Sequence, residues 1–237
     1  MNIAVILAGG VGARVGGAVP KQLLPLSDGR SVLEHAISAF EQASCIDEVC
    51  VVMHSDYIAT AEQMIASNGW HKVKHVIPGG KERWESSVNA IKAYRQSLSA
   101  DLWADANILL HDAARPFVSS EIISNVCQAL VNHKAVVVAV PSTDTVYEMH
   151  DGCVARIPNR ASIMRAQTPQ AFRLSLIAEA YSLALGVTLD QLLTSPIIAN
   201  IPVTDDCGVV FNYNPNQPIH IVPGNEQNRK ITFKEDI

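Results

Sequence analysis

Asn2-Ile3-Ala4-Val5-Ile6-Leu7-Ala8-Gly9-Gly10 decides the fold. An apolar run without polar alternation suits a strand covered on both faces, as in a parallel sheet between helices. The run stops on glycines, which end the strand and open a loop. The same grammar repeats outward from it. Ser31 with Glu34 forms a capping-box pattern, and Leu33, Ala36, Ile37 and Phe40 then recur at helical spacing. Val49 to Met53 reads as the next strand, Ile58 to Ala66 as a helix, and Val73 to Ile77 as a strand ending at Gly79-Gly80. Val88 to Tyr94 is helical, Asn107 to Leu110 is a strand closed by His111-Asp112, Ile122 to Leu130 is helical, and Ala135 to Val140 is a strand ending at Pro141. Repeated βα units predict an open three-layer α/β/α sandwich with a mainly parallel sheet and right-handed crossovers.

The 237 residues fit one domain, 1–237. Hydrophobic residues make up 48% and charged residues 17%, enough apolar material for a sizeable core. Eighteen Lys and Arg stand against twenty-three Asp and Glu, a net charge of −5, which argues against general nucleic-acid binding. No apolar run approaches the ~20 residues of a membrane helix, and the apolar start lacks the basic flank of a signal peptide. The five cysteines are scattered without a CxxC pair and read as reduced thiols of a cytoplasmic protein. From about 142 to 162 the alternation lapses. Thr145-Val146-Tyr147 and Val154-Ala155-Arg156-Ile157 flank Asp151-Gly152, a hairpin signal that predicts a protruding arm suited to dimerisation.

Ligands of such sheets sit beyond the carboxyl ends of the strands, where this sequence places its unusual residues. Gly9, Gly10 and Gly12 let backbone approach a ligand closely. The loop is neither a P-loop nor a GxGxxG fingerprint. Arg14 and Lys21, in Pro20-Lys21-Gln22, supply cations beside it and suit a polyphosphate. Gly79-Gly80-Lys81-Glu82-Arg83 leads to Ser86 and a helix start. His111-Asp112-Ala113-Ala114-Arg115-Pro116 offers a carboxylate for a divalent metal and an arginine for a phosphate, or a structural Asp–Arg ion pair; His111 reads as a packed histidine. Arg160, the polar cluster Gln167 to Phe172, and Lys230 before an apparent last strand complete the set. Five cations outside evident helix interiors suit a nucleoside triphosphate and a phosphorylated acceptor. Such chemistry needs positioning and charge stabilisation more than a base.

These motifs, with Asp144-Thr145, Thr204-Asp205-Asp206 and Lys230-Ile231-Thr232, occur in an order that resembles the cytidylyltransferases of 2-C-methyl-D-erythritol 4-phosphate and of D-ribitol 5-phosphate. The resemblance spans almost the whole chain. It implies a Rossmann-like, nucleotide-diphospho-sugar-transferase-like sheet and transfer of CMP from CTP to a polyol phosphate, with Mg2+. The methylerythritol branch is favoured over the ribitol branch. A sugar-1-phosphate nucleotidyltransferase and a non-catalytic nucleotide-binding protein are the remaining alternatives. By motif match, Arg14, Lys21, Arg160 and Lys230 would be catalytic. Ala8, Gly9, Gly10, Gly12, Gly80, Arg83 and Ser86 would hold the nucleotide, and Asp112 the magnesium. Arg115, Thr145, Arg160, Thr168 and Lys230 would position the polyol phosphate. The resemblance also implies a homodimer in which the arm crosses to a second subunit, so that Arg115 and Thr145 would serve the partner's site. Where many relatives have a second acidic metal ligand, this chain has Gln227.

Overall fold

The computed structural model describes residues 1–10, 19–196, 201–233 and 236. The first strand, β1 (Asn2–Ala8), pairs in parallel with β2 (Glu48–Met53) and with β4 (Asn107–Asp112), and β2 pairs in parallel with β3 (Val73–Pro78). Beyond β4 lie β8 (Met164–Arg173), β5 (Ala135–Pro141) and β9 (His220–Pro223), giving the order β3-β2-β1-β4-β8-β5-β9. The mainly parallel sheet predicted from the βα repeats is present. Strand β8 is its antiparallel member, paired with β4 on one side and β5 on the other.

Helices cover both faces because alternate residues of β1 feed two cores. Ile3, Val5 and Leu7 pack with α3 (Arg83–Ser97), α4 (Ala100–Asp105), α6 (Leu174–Leu185), α7 (Leu189–Thr194) and α8 (Asp206–Tyr213). Ala4, Ile6 and Ala8 pack with α1 (Val32–Gln42), α2 (Ile58–Asn68) and α5 (Ser120–Ala129). The Ser31–Glu34 capping box forms as expected, each side chain taking the other's backbone N–H. All five cysteines are free. No helix of the described residues is long and apolar enough to cross a membrane.

Three expectations need correction. The arm strands are β6 (Glu148–His150) and β7 (Cys153–Arg156), so Thr145-Val146-Tyr147 is the approach to the hairpin and not a strand of it. The Asp151-Gly152 turn is as predicted, with both residues at positive φ. The polar cluster Gln167 to Phe172 is strand β8. The last strand, β9, precedes Lys230, and residues 231–233 run in irregular backbone.

Candidate active site

The order β3-β2-β1-β4 reverses direction between β1 and β4, which opens a crevice at their carboxyl ends. A cavity of about 590 Å³ lies there. Its walls come from Leu7 to Gly10 after β1, from Lys21 and Gln22, from Gly80 to Arg83 with Ser86, from Asp112 to Ala114, and from Thr204, Lys230 and Thr232.

The two glycine turns meet in its floor. A Cβ on Gly79 would stand 3.0 Å from Gly9 Cα, and one on Gly80 only 2.2 Å from Glu85 Cβ. Side chains at these positions would push the turns apart or collide with Glu85. The Gly80 N–H donates to Ser86 Oγ (3.1 Å), and Glu85 accepts the N–H groups of Lys81 and Glu82. The turn is thereby fixed to the first turn of α3.

Lys21 projects from a single 3-10 turn, Lys21–Leu23, and its Nζ donates to the Ile231 carbonyl at 2.8 Å. Lys230 Nζ lies 2.6 Å from Asp112 Oδ2, and Arg83 Nε lies 2.9 Å from Asp112 Oδ1. Arg83 continues inward to Asp206 Oδ2 (2.5 Å), whose other oxygen accepts the Tyr181 hydroxyl at 2.7 Å. Burial alone would raise the Asp112 carboxyl, but the Arg83 guanidinium and then the Lys230 ammonium hold it far below the usual carboxylate range. Burial and Asp206 push the Tyr181 phenol up, so it stays a donor.

His111 is the packed residue predicted. It is fully buried, with one ring nitrogen 3.0 Å from Thr168 Oγ1 and the other 3.0 Å from the Arg115 carbonyl. Burial pushes its imidazole down to about 4. An unfolded histidine titrates near 6.5, so the unfolded chain takes up a proton first as the pH falls. The contribution is complete above pH 6.5 and is lost as the pH drops toward 4. We expect unfolding free energy from denaturant titration to fall by about 2–3 kcal/mol between pH 7 and 4.5 on this account. His111→Gln should flatten that slope; an unchanged slope would show that His111 is not held neutral.

The structure gathers Ala8, Gly9, Gly10, Lys21, Gly80, Arg83, Ser86, Asp112 and Lys230 around one cavity. Gly12 and Arg14 lie outside the described residues. Thr168 sits beneath the cavity, where its hydroxyl accepts the Asp112 N–H (3.1 Å), so it fixes the strand end and does not line the opening. Arg115 donates to the Asn228 carbonyl at 2.7 Å and forms no ion pair with Asp112, whose partners are Arg83 and Lys230. Thr145 and Arg160 are exposed on the arm and its base, and Arg160 Nη1 donates to the Thr143 carbonyl at 3.3 Å. Within one chain these three do not reach the cavity wall. Sequence reading passed over Gln22, Lys81 and Thr232 as site residues, and left Thr204 and Asp206 without a role. Only their adjacency to assigned motifs could have signalled them.

A divalent cation has one carboxylate in the cavity besides Glu82, namely Asp112, and no cluster of three His, Cys, Asp or Glu side chains forms among the described residues. That donor set fits Mg2+, which is commonly held by one or two carboxylates with substrate phosphates and water. Asp112 would hold it.

The family model described as IspD, 2-C-methyl-D-erythritol 4-phosphate cytidylyltransferase, matches residues 2–237. The chain is 42% identical over 239 residues to the 2-C-methyl-D-erythritol 4-phosphate cytidylyltransferase of Thermobifida fusca, covering 99% of this chain and 89% of that protein. It is 34% identical over 238 residues to the bifunctional ribulose 5-phosphate reductase/CDP-ribitol pyrophosphorylase Bcs1 of Haemophilus influenzae, covering all of this chain and 46% of that protein. Among solved structures, the 4-diphosphocytidyl-2C-methyl-D-erythritol synthase of Anaerococcus prevotii superposes with a TM-score of 0.80 at 28% identity, over 99% of this chain and 92% of that one.

Proposed function

The chain belongs to the 2-C-methyl-D-erythritol 4-phosphate cytidylyltransferase family, and on that premise we propose that it transfers CMP from CTP to 2-C-methyl-D-erythritol 4-phosphate as a cytoplasmic enzyme of isoprenoid precursor synthesis. The observation that carries this reading is the cavity at the β1/β4 switch point, where three lysines (Lys21, Lys81 and Lys230), Asp112 and two glycine turns converge.

In this reading the acceptor's phosphate oxygen forms a bond to the α-phosphorus of CTP while the bond from that phosphorus to the bridging oxygen breaks. Pyrophosphate leaves, and the attacking group is already an anion, so no residue need remove a proton. Ala8 to Gly10 bring backbone against the triphosphate. Gly80, Arg83 and Ser86 border the nucleoside end, while by motif Gly12 and Arg14 belong with Ala8 to Gly10 at the triphosphate. Lys21 neutralises charge that builds on the triphosphate, and Lys230 holds the acceptor phosphate beside Asp112. Preorganised cations of this kind act without rearranging during the reaction. Asp112 would hold the magnesium ion, whose chemistry would be further neutralisation of phosphate charge.

We assign Arg115, Thr145 and Arg160 to acceptor recognition in a homodimer, with Thr168 acting there through Asp112, whose N–H it accepts. Tyr147, Met149, Val154 and Ile157 on the arm are more than half exposed in the single chain. Such apolar exposure marks a surface that a partner covers, and a second copy would bring an arm to each cavity.

The experiment is pyrophosphate release with CTP and Mg2+, run with 2-C-methyl-D-erythritol 4-phosphate and D-ribitol 5-phosphate in parallel, on protein weighed by light scattering at assay concentration. Turnover with the first acceptor by a species of twice the chain mass is expected. The likeness to Bcs1 makes ribitol phosphate the second reading, and higher turnover with it would replace the first. A monomeric mass would remove the shared-site roles of Arg115 and Thr145.

A further inference from the structure

We propose that Gln22 is a positioning residue for nucleotide binding, pinning the start of the glycine loop in fixed register with Lys21. The inference rests on the CTP reading of the cavity. Gln22 is 3% exposed, and its Nε2 donates to the Ala8 carbonyl at 2.5 Å and to the Gly10 carbonyl at 2.8 Å. A side-chain amide carries two N–H donors, and both are engaged. The two carbonyls flank Gly9, which packs against the Gly79 turn from the other side. Three consecutive residues of the cavity floor are thus held from two directions.

The chemical consequence concerns which edge of the loop meets a ligand. Carbonyl lone pairs repel phosphate oxygens, whereas N–H groups attract them. Fastening the Ala8 and Gly10 carbonyls to Gln22 commits those oxygens to an inward contact. Gln22 also follows Lys21 directly in the same 3-10 turn. One residue borders the cavity with its ammonium and the next reaches inward to the loop, so a single turn sets the distance between a cation and the phosphate-facing backbone. A buried amide with no donated bonds would be costly, which ties the residue type to this task.

The test uses Gln22→Met, which keeps length and volume but donates nothing, and Gln22→Asn, which keeps the amide on a stem one methylene shorter. Both are made in the full chain, with circular dichroism reporting folding. Gln22→Met should raise both the KM for CTP and the calorimetric Kd for CTP about 10–100-fold, the loss of two buried hydrogen bonds to the loop. The KM for the acceptor phosphate should stay within twofold. Gln22→Asn should fall between Gln22→Met and the wild type. A purely structural prop would change the two KM values together, or lower only the amount of folded enzyme, and either result overturns the proposal. A wild-type chain that binds no CTP overturns the functional reading itself. A wild-type chain that binds CTP, with Gln22→Met binding equally well, removes only the role of Gln22.

Discussion

Lys21→Ala is expected to lower kcat by about 100- to 1,000-fold, the usual cost of removing one preorganised group that meets charge developing in the transition state. The ammonium reaches the cavity from a one-turn helix, with its Nζ held 2.8 Å from the Ile231 carbonyl. The Ile231 carbonyl helps to anchor the side chain at the cavity. The substitution removes a half-buried side chain from a surface turn, so the fold should survive with a loss of about 1 kcal/mol or less. Lys21→Arg should recover little, because a planar guanidinium distributes its charge and donors differently from a compact ammonium. Rates with CTP, magnesium and acceptor, alongside a thermal melt, decide the matter. Turnover within threefold of the wild type would exclude Lys21 from the chemistry.

Asp206→Ala should destabilise the protein by about 3–5 kcal/mol, the cost of removing one partner from a buried ion pair. Asp206 is fully buried between the Arg83 guanidinium and the Tyr181 hydroxyl. Without it Arg83 would keep Asp112 as its remaining carboxylate, and Tyr181 would be a buried donor without its acceptor. Asp206→Asn should cost less, since the amide oxygen still accepts from one neighbour. Denaturant unfolding of the two variants measures the difference. A loss under about 1 kcal/mol for Asp206→Ala would mean that the Arg83 charge is compensated by other means. Activity should fall as well, because the same guanidinium fixes the Asp112 carboxylate at the cavity mouth.

The first two-thirds of the fold was legible because its strands are apolar runs and its helices carry caps. The strand at Met164–Arg173 was not, and its residues say why. Gln167, Thr168 and Gln170 are buried polar groups in a strand interior, which no apolar pattern announces. Each is satisfied by a neighbouring element: a loop, the end of β4 and the start of the Asp206–Tyr213 helix. Gln167 donates to the Asn225 carbonyl, Thr168 serves Asp112 and His111, and Gln170 bridges Asp205 and the Cys207 N–H. The strand reads as polar because the elements around the site are fastened to it. The helix at Asp206–Tyr213 was missed for a related reason: its first residue is spent on Arg83 and Tyr181, and glycine sits in its first turn. The cations were legible as types in order, whereas pairing was not. Asp112 with Arg115 was the natural guess by proximity in sequence, but the partners of Asp112 come from positions 83 and 230.

The insertion of β8 between β4 and β5 also bears on how the chain reaches this state. During synthesis, β1 to β4 can pair as soon as β4 emerges, since their parallel partners all lie among these four strands. The strand β5 then emerges with neither sheet neighbour made: β8 comes only after the arm, and β9 more than fifty residues later still. Until then β4 and β5 both present open backbone edges, and their apolar sequences, Asn107–Asp112 and Ala135–Pro141, are the kind that pair with other chains. The interval during which Met164–Arg173 is still to be made is therefore the period of greatest exposure to aggregation, and slow translation or chaperone loss across the arm-coding stretch should cost more soluble protein than the same delay elsewhere.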